Sequence, residues 1–212
     1  VDLSLDNKFV LITGSSRGIG LAIAKILHAE RCSVVLNGRN SDELEQAVSG
    51  LSGSVGFVAD VSVPDQAKRL IDETLKSHSR IDGVVCNVGS GRSVPPGSED
   101  FDEWQRVFSE NLWSTTNIVE AASEALTKNK GSIVCTSSIC GLEVVPAAPV
   151  TYSTAKAALH AYVRGISRPL GKRGVRINAI APGNILFKGS VWERKLEASA
   201  GAVAEMLNRD VA

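Results

Sequence analysis

The sequence predicts an α/β fold organised as a doubly wound parallel sheet. Three observations carry this. Six short apolar runs rich in β-branched residues are each too short for a buried helix, stretches of helical period separate them, and a glycine-rich turn joins the first run to the first helix. Right-handed crossovers between such strands place a ligand at their carboxyl ends, where strand order reverses.

In chain order, Phe9-Val10-Leu11-Ile12 is the first strand and leads into Thr13-Gly14-Ser15-Ser16-Arg17-Gly18-Ile19-Gly20. A helix follows, with Ile19, Ile23, Ile26 and Leu27 on one face. Ser33-Val34-Val35-Leu36 and Val55 to Ala59 are the second and third strands, with a helix from Asp42 to Val48 between them. Ala67, Leu70, Ile71, Thr74 and Leu75 form the apolar stripe of the next helix, before the strand Gly83-Val84-Val85-Cys86. The loop Gly89 to Ser98 is the most turn-rich segment, and following a strand it should border the ligand crevice. Phe101 to Leu126 reads as one helix, Ser132-Ile133-Val134-Cys135 as the fifth strand, Tyr152 to Leu170 as a second long helix, and Val175 to Ile180 as the sixth strand. Pro169 lacks a backbone donor and should end or kink its helix.

Length and charge bound the function. A chain of 212 residues buries one substantial core, so residues 1–212 are expected to form a single domain. The 23 basic and 23 acidic side chains cancel, and without basic runs the chain lacks the electrostatic footprint of a nucleic-acid binder. No apolar stretch approaches the roughly 20 residues that span a bilayer, and the start lacks a signal-peptide layout. Cys32, Cys86, Cys135 and Cys140 show no C-x-x-C spacing, so they read as reduced thiols of a cytoplasmic protein. His28, His78 and His160 lie far apart in sequence, and no metal is implied.

The turn after the first strand has the chemistry of a phosphate cradle. Glycines let the backbone turn sharply and approach a pyrophosphate, while the free N–H groups and dipole at a helix N-terminus favour its charge. Its spacing, G-x-x-x-G-x-G, differs from the G-x-G-x-x-G of many dinucleotide folds. At the second strand's end an acidic residue would bond an NAD ribose, whereas a basic one accommodates the 2′-phosphate of NADP. The sequence there is Leu36-Asn37-Gly38-Arg39-Asn40, with no carboxylate at the strand end. Arg39, helped by Arg17 in the turn, therefore favours NADP(H) over NAD(H).

Tyr152 and Lys156 stand one helical turn apart on one face. An ammonium beside a phenol would lower its pKa and fit it for proton transfer. Together these motifs resemble the short-chain dehydrogenase/reductase family, in its single-domain branch, with members like the 3-oxoacyl-acyl-carrier-protein reductases. The matching residues are Thr13-Gly14-x-x-x-Gly18-x-Gly20, Asp60-Val61, Cys86-Asn87-Val88-Gly89, Asn111, Ser138, Tyr152-x-x-x-Lys156 and Pro182-Gly183, running from about Lys8 to Gly183.

The resemblance implies a Rossmann-like sheet and an enzyme interconverting a carbonyl and a secondary alcohol. Tyr152 would carry the proton, Lys156 would tune it and bond the nicotinamide ribose, and Ser138 would hold the substrate oxygen. Asn111 would hold a water linking Lys156 to solvent. The turn residues Gly14, Ser16, Arg17, Gly18, Ile19 and Gly20 would meet the cofactor with Arg39. Asp60 and Val61 would contact the adenine, and Asn87 and Gly89 would border the ribose. Pro182, Gly183 and Ile185 would lie at the carboxamide. Ser137 is an adjacent candidate; Ser138 is preferred because Ile139-Cys140-Gly141 follows it in the family's pattern. A homodimer or homotetramer pairing Asp100 to Leu126 and Tyr152 to Leu170 is also implied. By the same resemblance the family's seventh strand is expected to be missing, and 184–212 to be a substrate lid or a shortened C-terminal segment. Arg92, Lys188, Trp192, Arg194 and Lys195 could line the substrate's walls. Two other readings stay open: a non-catalytic NADP-binding module, and a sugar-nucleotide epimerase or dehydratase.

Overall fold

In the computed structural model, which describes residues 3–205 except 147, 188 and 202, the apolar runs become a six-stranded parallel sheet. Lys188 and the segment 206–212 of the expected lid lie outside the described residues. The strands are β1 (Phe9–Ile12), β2 (Ser33–Gly38), β3 (Val55–Val58), β4 (Gly83–Cys86), β5 (Ser132–Thr136) and β6 (Arg176–Ile180). Their order is β3-β2-β1-β4-β5-β6, so the order reverses between β1 and β4 and opens a crevice at their carboxyl ends.

Strand alternation divides the core into two layers. Leu11, Val84 and Ile133 point to one face, where they meet Ile71, Ile118 and Leu159 of α3 (Pro64–His78), α5 (Ser114–Asn129) and α6 (Val150–Lys172). Ile12, Val34 and Leu36 point to the other, against Ala24 of α1 (Gly18–Ala29) and Leu44 and Ala47 of α2 (Ser41–Ser49). Cys86 and Cys135 face each other across β4 and β5, buried as small apolar groups.

Three local expectations change. The run from Phe101 to Leu126 is not one α-helix: α4 (Phe101–Phe108) passes through a π-helical turn, Ser109–Trp113, into α5. The stripe of α1 is rotated, because Gly20 and Ala24 are buried and Ile23 and Leu27 pack beside them, leaving Ile26 63% exposed. Small residues let the helix sit close to the sheet on that side. Pro169 does not end α6, which continues to Lys172. Chain reversal falls instead at Gly174, where φ is +80°, a conformation that only glycine adopts readily.

Candidate active site

The crevice is built first by backbone. Asn37, buried at the end of β2, donates to the Phe57 and Ala59 carbonyls at 3.1 Å each and accepts from Gly14 N–H at 3.4 Å. Asn87, at the end of β4, donates from Nδ2 to the Gly14 carbonyl at 3.1 Å, while its N–H donates to Thr13 Oγ1 at 3.0 Å. Both amides therefore fix the glycine turn from either side of β1. Neither pattern was legible from sequence, since each depends on strand register.

The turn itself is tight enough to specify its residues. A Cβ at Gly20 would stand 2.3 Å from the Gly14 carbonyl oxygen, a backbone atom held by Asn87. Gly20→Ala should therefore weaken dinucleotide binding at least about tenfold and lower stability by about 1–3 kcal/mol. Nucleotide titration and urea unfolding check this; wild-type values in both would overturn it. The turn leads into α1, whose N-cap makes no side-chain hydrogen bond and whose first turn holds no acidic residue. No side-chain cap or first-turn carboxylate therefore offsets its positive end, which favours an anion.

Beside the glycine turn, a cleft of about 230 Å³ is lined by Arg17, Arg39, Asp60, Ser62, Gly89 and Arg92, among others. Arg92, expected at the substrate's wall, lines the same cleft as Arg17 and Arg39. Arg39 Nη1 is 3.5 Å from Asp60 Oδ2, and Arg17 Nη1 is 3.7 Å from Glu43 Oε1. Glu43 Oε2 also accepts from Ser16 Oγ at 3.4 Å. The strand end lacks a carboxylate as expected, yet α2 brings one back. Asn40 caps α2 by accepting from Glu43 N–H at 2.9 Å, which puts Glu43 in the first turn beside its cap. The Asn40-x-x-Glu43 spacing is the sequence signal that could have found it.

The catalytic candidates gather at the other end. Ser138 caps the short 3₁₀ turn Ile139–Gly141, and its Oγ accepts from Cys140 N–H at 3.2 Å. Tyr152 lies near Ser138, whose side chain acts to lower the pKa of its phenol. Ser137 turns the other way, its Oγ 2.9 Å from His160 Nε2. Lys156 is buried at the foot of this group and donates from Nζ to the Thr136 carbonyl at 3.0 Å. Asn111, in the π turn, donates to the Ser90 and Val107 carbonyls at 3.0 Å each and accepts from Ser90 N–H at 3.0 Å. Its Oδ1 and Lys156 Nζ converge on Gly89, 2.8 and 3.0 Å from where a Cβ would stand. Pro182 is tied to the site through its carbonyl, which accepts from Ile139 N–H at 3.1 Å, and Ile185 is 40% exposed.

The electrostatics depart from the expected tuning. Burial pushes the Tyr152 phenol above its ordinary value, partly opposed by Ser138, whereas burial lowers Lys156 to about 8. The Lys156 nitrogen is 5.9 Å from the Tyr152 ring centroid, so desolvation outweighs the attraction that the spacing suggested. Beside the site, Arg106 and then Ser93 hold Glu103 down to about 2 and pin the loop after β4. Ser93 Oγ also meets Thr151 Oγ1 at 2.5 Å, joining that loop to α6 just before Tyr152.

Comparison with known proteins gives a consistent picture. A family model described as short chain dehydrogenase matches residues 8–195. A 3-oxoacyl-[acyl-carrier-protein] reductase of Chlamydia trachomatis is 33% identical over 187 residues, covering 85% of this chain and 75% of that one. The structure of an NAD+-bound xylitol dehydrogenase superposes with a TM-score of 0.85 at 28% identity, covering 92% of this chain and 77% of that one. An alcohol dehydrogenase of Thermococcus sibiricus, complexed with 5-hydroxy-NADP, gives 0.80 at 26% identity, with coverages of 85% and 77%.

Proposed function

The chain belongs to the short-chain dehydrogenase family, and on that premise we propose an NADP(H)-dependent oxidoreductase that interconverts a carbonyl and a secondary alcohol. The observation that carries this reading is the convergence of Tyr152, buried Ser138 and buried Lys156, whose nitrogen is 5.9 Å from the Tyr152 ring centroid, at the sheet end where the glycine turn also opens.

The residues present fit a nicotinamide dinucleotide. The uncapped end of α1 would hold the bridging phosphates, the cleft between Arg39 and Gly89 would hold the adenosine end, and Lys156, beside Gly89, would bond the nicotinamide ribose. When bound, the nicotinamide supplies or accepts the hydride. The chain's own residues hold the rest. Ser138 Oγ positions the substrate oxygen, and Tyr152, protonated at neutral pH as a phenol and pushed further that way by burial, gives that oxygen a proton during reduction. Lys156, charged below about pH 8, stabilises the phenolate left behind. Asn111 fixes the loop over Lys156 through Ser90.

Arg39 carries the cofactor preference. Its pairing with Asp60 and that of Arg17 with Glu43 are long and exposed, worth about 0–1 kcal/mol each, so a 2′-phosphate can take both guanidinium groups. NADPH should bind at least about tenfold more tightly than NADH, a difference of about 1.4 kcal/mol that two charge-assisted hydrogen bonds readily supply. Arg39→Ala should remove most of it. Equal affinities in the wild type, or an unchanged ratio in the variant, would refute the NADP reading. A panel of carbonyl compounds followed by NADPH absorbance tests the activity.

Residues 1–212 are read as one domain, in which the described part of the segment from 184 onward flanks the glycine turn through Phe187. A cytoplasmic setting agrees with the free Cys32, Cys86, Cys135 and Cys140. Pairing of two copies through α4, α5 and α6 would cover Phe101 and Trp113, which are 72% and 42% exposed.

A further inference from the structure

The opening of α1 is already in contact with an apolar side chain. A Cβ at Gly18 would stand 2.6 Å from Cε2 and 2.8 Å from Cζ of Phe187, so the phenyl ring rests directly on this glycine. Gly18 has φ of +57° and begins α1, whose first N–H groups have no partner within the helix. An apolar ring therefore lies beside the positive helix end that a dinucleotide's bridging phosphates must approach.

Phe187 is held there by a built turn. Ser190, 4% exposed, accepts at Oγ from Phe187 N–H at 3.3 Å and from Glu193 N–H at 3.0 Å. Ser190 N–H donates back to the Phe187 carbonyl at 2.9 Å. The same hydroxyl thus caps α7 (Val191–Ala198) and fixes the turn that carries the ring. Neither the charge pattern nor the helical periodicity of the sequence accounts for a phenylalanine at this place.

We propose that Phe187 gates the glycine turn: its ring covers the approach of the bridging phosphates, and a dinucleotide displaces it on binding. This rests on the dinucleotide reading of the site. A closed form favoured about nine to one reduces apparent affinity about tenfold, because only the open fraction binds. Opening the gate must therefore tighten binding, the reverse of what loss of a cofactor contact does.

The test compares wild-type chain, Phe187→Ala and Ser190→Ala in titrations with NADPH and with adenosine 2′-monophosphate, which carries no bridging phosphates. Phe187→Ala is expected to tighten NADPH about five- to tenfold and leave adenosine 2′-monophosphate unchanged. Ser190→Ala, which releases the turn, is expected to shift NADPH the same way. Unchanged or weaker NADPH binding in Phe187→Ala overturns the gate alone, as does equal tightening of both ligands. Failure of the wild type and Phe187→Ala to bind either nucleotide overturns the dinucleotide reading beneath it.

Discussion

Tyr152→Phe should lower turnover about 10²–10⁴-fold while leaving NADPH affinity within about twofold. The substitution removes one oxygen from a ring that is otherwise retained, and Ser138 keeps its bond from Cys140 N–H, so the local packing survives. What is lost is the proton carrier. The phenol is protonated at neutral pH, burial disfavours its ionised form further, and in reduction that proton goes to the oxygen of the new alcohol. Measuring kcat beside nucleotide Kd separates the two consequences. A normal turnover would remove Tyr152 from the chemistry, and an activity absent from wild type as well would favour a non-catalytic NADP-binding module. An epimerase or dehydratase would instead turn over a sugar nucleotide without net consumption of NADPH.

The parts of this molecule legible in the sequence are those set by short-range pattern. The unbroken apolar run Val10-Leu11-Ile12 predicts a strand with two covered faces, and the structure gives each face its own apolar cluster. Glycine spacing predicts the turn, because close backbone approach excludes a side chain at Gly20. The Tyr152–Lys156 spacing likewise places both on one side of α6. Harder to read is anything decided by packing over distance. The break at Ser109–Trp113 is invisible to periodicity, since one residue added to a turn leaves the surrounding apolar stripe nearly intact. Its result is functional geometry: it turns Asn111 inward to Ser90. Ile26 fits the helical period but finds solvent, because Gly20 and Ala24 bring the opposite edge of the stripe against the sheet. The Tyr152 pKa direction fails for a related reason. Sequence spacing shows that a lysine is near, whereas burial, which wins here, is a property of the whole fold.

That same burial makes Lys156 costly to the fold, so Lys156→Met should stabilise the unloaded protein while disabling it. The lysine's lowering from 10.5 to about 8 corresponds to ~3 kcal/mol at neutral pH. Methionine of similar length removes that cost but forfeits the bond to the Thr136 carbonyl, worth about 1 kcal/mol, leaving a gain on the order of 2 kcal/mol. The pH dependence identifies the cause. Below about pH 8 both folded and unfolded lysine are protonated, so the wild-type penalty is constant. Between about 8 and 10.5 the unfolded chain still holds a proton that the folded one has released, and wild-type stability rises with pH. The variant lacks this rise, so its advantage shrinks from pH 7 to pH 9.5 in urea unfolding. Turnover should fall at least about 10²-fold, because the charge opposite the developing phenolate is gone. Lower stability than wild type at pH 7, or parallel stability curves across both pH values, would show that Lys156 is not held in the fold at an electrostatic cost.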